Sequence, residues 1–256
     1  GVLCAGPDLH DAEIARDITE QTLAVKASIM AGGGSYRGLP EAELFRMEYR
    51  TLQHKKLESG VATAPLRGHV ALVTGAAGAI GTGICKGLLE AGCLVAGTDL
   101  PGPPLDTLLR TLERGFPGRI IGVPLDVTDP GFVSAAFDEV ARTWGGIDLV
   151  IPNAGVAAVA PLTELTLDRY RKLEQVNVEG TLLVLAEAAR FLRRQATGGD
   201  IVLVSTKNVF SPGANFGAYS STKAAAHQLA RIASLELAAD DVRVNMVSPD
   251  AVFATG

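Results

Sequence analysis

The sequence predicts an α/β fold, a doubly wound parallel sheet preceded by a helical N-terminal appendage. Three observations carry that expectation. From His69 onward, short β-branched runs alternate with Ala/Leu/Glu-rich amphipathic stretches, as strands joined by crossover helices do. The first of these strands passes through a glycine-rich connection, "TGAAGAIG" (74–81), into a helix-like segment. Before about residue 65 the composition changes, and only helix-like segments occur. Together these describe a sheet of the Rossmann type with something helical in front of it.

Composition sets the first limits. The 256 residues are 47% hydrophobic and carry a net charge of −5, enough for a sizeable core and against a nucleic-acid surface. No apolar run long enough to span a membrane is free of charge, and no signal-peptide pattern is visible. Cys4, Cys85 and Cys93 lack metal-ligand spacing and read as small apolar residues in a reducing cytoplasm. His10, His54, His69 and His227 are scattered, so no metal site is expected. The chain starts at Gly1 without a methionine and stops at Gly256 soon after a strand-like run, so both ends read as cuts in a longer polypeptide.

In the appendage, Ile14, Ile18, Val25 and Ile29 fall at helical spacing. "AGGGSYRGLP" (31–40) breaks that helix. "EAELFRMEYRTLQHKKL" opens with Glu41 and Glu43 and closes with His54, Lys55 and Lys56, an order that suits a helix dipole. "ESGVATAPLRG" (58–68) reads as a linker, placing the appendage and linker in 1–66 and the sheet domain in 67–256. The strand candidates are "HVALVT", "CLVAGT", "RIIGVPL", "DLVI", "DIVLVS" and "VRVNMV". Helices are expected at about 80–91, 104–114, 130–143, 167–195 and 217–238. Met30, Met47 and Met246 read as core, and Trp144 as packing a helix end.

Gly75, Gly78 and Gly81 lie in the connection after the first strand. Small residues there let the backbone approach a pyrophosphate, and the helix N-terminus offers amide donors and positive potential. Asp99 closes the second strand, 24 residues after Gly75. A carboxylate at that spacing accepts hydrogen bonds from ribose hydroxyls and repels a 2′-phosphate, which favours NAD over NADP. A turn-capping aspartate before Pro101 and Gly102 is the competing reading.

With these residues in view, the chain from 67 to 256 resembles the short-chain dehydrogenase/reductase family. "TGAAGAIG" is similar to its cofactor turn, implying contacts from Gly75, Gly78, Ile80 and Gly81; Ala79 stands where the family usually has its middle glycine. The resemblance implies that Asp126 and Val127 of "LDV" frame the adenine, and that Asn153, Ala154 and Gly155 of "NAG" close the cofactor site. It further implies catalytic roles for Asn177 in "VNVEG" and for Tyr219 and Lys223 in "YSSTK", and an approach of Val252 to the carboxamide. Pro249-Asp250 departs from the family's usual Pro-Gly. More narrowly, "LFRMEYRTLQHKKL" and "STKNVFSPGANFGAY" resemble the C-terminal half of bifunctional rhamnulose-1-phosphate aldolase/lactaldehyde dehydrogenases. That resemblance implies a covalently linked aldolase domain and a small-molecule substrate; a homo-oligomer is expected, and charge and hydropathy point to neither nucleic acid nor membrane as partner.

The chemistry suits the residues. Oxidising a carbinol requires a proton acceptor on its oxygen, and a free tyrosine, with a pKa near 10, is a poor one at neutral pH. A nearby ammonium favours the phenolate. Tyr219 and Lys223 are four residues apart and so share one helix face, from which Lys223 also reaches the nicotinamide ribose. Asn177 is expected to anchor a water linking Lys223 to solvent. Thirteen residues before Tyr219, where the family places serine, stands Thr206, with Ser205 beside it. Strand neighbours point to opposite faces, so one of the two faces the site, and the spacing selects Thr206. Lys207 is expected near the cleft or simply solvated. A non-catalytic dinucleotide-binding module or redox sensor remains the rival reading, because Thr206 and Pro249-Asp250 depart from the pattern.

Overall fold

The computed structural model describes residues 2–6, 9–43 and 64–250. The chain divides into two compact units, Gly1–Gly68 and His69–Gly256. In the first, α1 (Leu9–Ala31) ends at the glycine-rich breaker. Its described residues include no buried apolar side chain, and Met30 is 70% exposed, which corrects its expected place in a core. Ile14, Ile18 and Val25 are exposed as well, so among the described residues helical spacing marks an apolar face without placing a neighbour against it. The helix expected over 41–57 lies outside the described residues after 43, with Met47 and His54; so do most of the linker and Val252.

The second unit holds a six-stranded parallel sheet in the order β3-β2-β1-β4-β5-β6. Its strands are β1 (Val70–Thr74), β2 (Leu94–Asp99), β3 (Ile120–Pro124), β4 (Leu149–Ile151), β5 (Gly199–Val204) and β6 (Val242–Val247). The helices are α2 (Ala79–Glu90), α3 (Pro103–Glu113), α4 (Pro130–Trp144), α5 (Leu167–Glu174), α6 (Gly180–Gln195) and α7 (Gly217–Glu236). All of β1 is buried because helices cover both faces of the sheet, as its unbroken apolar run requires. Phe137, Leu72, Ile147, Leu192, Ile201 and Leu203 are among the fully buried side chains that fill the space between layers. Each such residue contributes about 1.5–3 kcal/mol by leaving water.

Local signals set the helix ends. Asp129 caps α4 by accepting from the Gly131 and Phe132 amides, Pro130 supplies the first helical residue, and Gly145 ends it at φ 89° with Trp144 just before. One expectation fails in detail. The single helix expected over 167–195 is interrupted by a π-helical turn at Gln175–Glu179, with Asn177 fully buried inside it. The wide turn accompanies two contacts the periodicity cannot show. Asn177 bonds to the backbone of Val156, and Gly180 comes so close to Val127 that an added Cβ would lie 2.7 Å from its Cγ2.

Candidate active site

The order of strands reverses between β1 and β4, and the segments beyond their carboxyl ends form the crevice. Gly75 turns the chain out of β1 at φ +63°, where a Cβ would stand 2.7 Å from the Cα of Ala154. Gly81, in the first turn of α2, packs against that turn so tightly that a Cβ would fall 2.2 Å from the Gly75 carbonyl. Gly78 differs: its φ of −72° suits any residue, and a Cβ there would meet only the Gly75 carbonyl, at 3.4 Å. No side chain caps α2, so the amides of its first turn, around Ala79 and Ile80, are available to an anion. A dinucleotide pyrophosphate fits that arrangement.

Three side chains brace the turn. Asn153 donates from Nδ2 to the carbonyls of Thr74 and Gly75, at 2.9 and 3.0 Å. Thr74 Oγ1, almost fully buried, accepts from the amides of Asn153 and Ala154. Nothing in the sequence marks Thr74 for this role; only a fold that brings β4 beside β1 sets its hydroxyl against these two amides. From the other side, Asp99 accepts the Ala77 amide at 2.9 Å and the Leu100 amide at 2.8 Å. These bonds leave each carboxylate oxygen a second acceptor position for a ribose hydroxyl. Asp126 accepts from the amide and hydroxyl of Thr128 at 2.9 and 2.7 Å, fixing the turn that carries the buried Val127.

The structure brings Asn177, Lys223 and Gly155 together. A Cβ on Gly155 would lie 3.2 Å from Asn177 Oδ1 and 3.4 Å from Lys223 Nζ. Lys223 is 5% exposed and donates to the Val204 carbonyl at 2.9 Å. Burial pulls its pKa from 10.5 down to about 8, so it is still mainly an ammonium at neutral pH. Tyr219 sits one helical turn earlier on α7, its ring edge-on to Phe216 at 6.4 Å. The Asn177 amide is tied to protein partners on both sides: Oδ1 accepts from Val156 N, and Nδ2 donates to the Val156 carbonyl and to Thr222 Oγ1. A water held at Asn177 would bind its backbone carbonyl, which accepts from Thr181 Oγ1 at 2.7 Å.

At the end of β5 the two adjacent hydroxyls part ways. Ser205 Oγ pairs with His227 Nδ1 at 3.0 Å, and His227 packs edge-on against Phe210. Thr206 Oγ1 makes one longer contact, accepting the Asn208 amide at 3.3 Å. His227 lacks metal-ligand spacing, and the sequence signal for its place here is that it stands four residues after Lys223 and eight after Tyr219 on the same helix. Burial, then Arg231, lowers its pKa and favours the neutral ring. Cys85 and Cys93 are buried away from this site, and burial pushes their thiols up to about 12 and about 11. A concavity of about 730 Å³ lies at the amino ends of the strands, lined by His69, Asp148, Asp200, Asp241 and Arg243. Arg243 and Asp200 there are paired at 2.7 Å, and the pocket is on the wrong edge for ligands of parallel sheets.

Comparison with known proteins decides the family. The profile described as short chain dehydrogenase matches residues 69–256. The chain belongs to the short chain dehydrogenase family. This is an oxidoreductase family whose members normally bind NAD(P). A second profile, aldolase class II, second domain, matches residues 1–57. The chain is 33% identical over 254 residues to the uncharacterized oxidoreductase YuxG of Bacillus subtilis, covering 99% of this chain but only 37% of that protein. It is 32% identical to a sorbitol dehydrogenase of Cereibacter sphaeroides, over 73% of this chain and 72% of that one. A crystal structure of a short-chain type dehydrogenase/reductase from Mycobacterium marinum superposes with a TM-score of 0.69 at 30% identity, over 73% of this chain and 76% of that one. No helix among the described residues is long and apolar enough to cross a membrane.

Proposed function

We propose that this dehydrogenase uses NAD to transfer hydride to or from a small hydroxy compound or aldehyde resembling lactaldehyde. On this reading it is the dehydrogenase part of a cytoplasmic enzyme of rhamnose-type sugar degradation, homo-oligomeric and covalently linked to an aldolase domain. The observation that carries the catalytic reading is Lys223, a buried cation one turn after Tyr219, held beside Gly155 and Asn177. A buried charge is costly to keep, and here it stands beside the expected base. The aldolase match over 1–57 supports the fused arrangement, and the named activity of the sorbitol dehydrogenase supports a hydroxylated substrate.

The nicotinamide ring, when bound, accepts or returns the hydride. The remaining work falls to the chain. Tyr219 takes the proton from the substrate hydroxyl, and Lys223 keeps positive charge beside it. Thr206 donates to the substrate oxygen and fixes its position; Ser205 is already committed to His227. Gly75, Gly78, Ile80 and Gly81 hold the pyrophosphate, Asp99 the adenosine ribose, and Asp126 and Val127 the adenine edge. Asn153, Ala154 and Gly155 close the site, with Val252 assigned to the carboxamide.

Cofactor reduction with a panel of small alcohols, diols and aldehydes tests the reading. Turnover of lactaldehyde or a related diol with NAD is expected; tight NAD binding without turnover of any compound would establish the non-catalytic module instead. NAD should bind at least about tenfold more tightly than NADP, because Asp99 would sit desolvated against the 2′-phosphate. Equal affinities in a fluorescence titration would remove Asp99 from cofactor choice.

Thr206→Val keeps the side-chain shape and deletes the hydroxyl. It is expected to lower kcat on the order of 10²-fold, as the loss of other transition-state donors does. Thr206→Ser should remain active and accept bulkier substrates, because it loses the stiff β-branched methyl. A fully active Thr206→Val together with a dead Ser205→Ala would transfer the role to Ser205.

A further inference from the structure

We propose that Lys207 and Asp250 act as one specificity-determining pair that admits neutral hydroxy compounds and turns away anionic ones. This rests on the oxidoreductase reading above. Lys207 directly follows Thr206 beyond β5, and Asp250 follows Pro249 beyond β6. Lys207 Nζ and an Asp250 carboxylate oxygen lie 2.5 Å apart. The backbones are tied at the same place: Ser205 N donates to the Val247 carbonyl at 2.8 Å and Lys207 N to the Pro249 carbonyl at 3.0 Å. Hydrogen bonding between the two strands thus continues past their ends, holding the pair at the carboxyl edge beside the substrate-orienting hydroxyl.

The charge balance gives the pair its meaning. The site already contains one cation, the buried Lys223. Lys207 alone would add a second, half-exposed cation next to Thr206 and would draw a carboxylate or phosphate toward it. With Asp250 in contact, the two charges cancel at longer range and leave a local dipole. An anion reaching the rim then meets a carboxylate as readily as an ammonium. A neutral diol or hydroxyaldehyde is suited to such a rim: its oxygen accepts from the ammonium and its O–H donates to the carboxylate. The departure from Pro-Gly at Pro249-Asp250 also acquires a reason, because a glycine there would offer no carboxylate to the Lys207 ammonium.

Propane-1,2-diol and lactate form the matched test, sharing a secondary hydroxyl but differing in charge. In Asp250→Asn, the diol-over-lactate ratio of kcat/KM is expected to fall about tenfold or more, mainly through KM for lactate. Lactate should bind the protein–NADH complex more tightly by a similar factor in a fluorescence titration, and less so at high salt. The charge-swapped double variant Lys207→Asp/Asp250→Lys should restore the wild-type ratio. Unchanged ratio and lactate affinity in Asp250→Asn, with NADH still bound, would overturn the role of the pair, as would a swap that fails to restore the ratio. If the wild type turns over neither compound nor lactaldehyde, the lactaldehyde-type substrate reading falls, and the lactate titration, which needs no turnover, still decides the pair.

Discussion

Tyr219→Phe is expected to reduce turnover by about 10²-fold or more while leaving cofactor binding in place. The substitution removes one oxygen. It keeps the ring that lies edge-on to Phe216 in the first turn of α7, so the helix start should hold its packing. The cofactor cradle depends on other residues: Gly75 and Gly81 for close approach, and Asn153, Thr74 and Asp99 for bracing. Steady-state rates measured beside NADH fluorescence and a melting curve separate the three quantities. A variant with normal rates would remove Tyr219 from the mechanism. A variant that no longer binds NADH would show the hydroxyl to be a binding group first.

The sheet was legible because parallel strands buried on both faces read as near-continuous apolar runs, and the six predicted runs match the six observed strands to within one residue at each end. Helix ends were legible where a cap marks them, as at Asp129, Pro130 and Gly145. The π-helical turn around Asn177 was not, because a single extra residue barely disturbs an apolar pattern and the groups Asn177 bonds to, Val156 and Thr222, are far away in sequence. The exposed Met30 shows the converse: helical spacing announces a face without supplying a neighbour to cover it. In the candidate site, the residues with required small size or charge could be picked out. Their partners could not. The pairing of Ser205 with His227, the contact of Lys223 with the Val204 carbonyl and the ion pair of Lys207 with Asp250 all depend on which strand ends the fold sets side by side.

Lys223→Met should make the cofactor-free protein more stable and nearly inactive. Lys223 is 5% exposed, and burial brings its pKa from 10.5 to about 8. Keeping the ammonium there costs the folded state on the order of 3 kcal/mol at pH 7. The bond to the Val204 carbonyl returns part of this, and methionine fills a similar volume without charge, so a net gain of about 1–3 kcal/mol is expected. The sign follows from proton counts. Between about 8 and 10.5 the unfolded chain holds more protons on this lysine than the folded one, so wild-type stability from this group rises with pH across that window. The cost is complete below about 8 and gone above 10.5. Cys85 and Cys93 act in the opposite direction above 9.0, since burial raises both thiols, but both proteins carry them and they cancel in the difference. The advantage of the variant should therefore be largest at pH 6–8 and fade toward pH 10.5 in urea titrations of the cofactor-free proteins. Turnover should fall about 10²-fold or more, because Tyr219 loses the positive charge beside it. A variant less stable than wild type at pH 7 would mean that the Val204 contact outweighs the desolvation of the ammonium, and that Lys223 holds the end of β5 as much as it serves Tyr219.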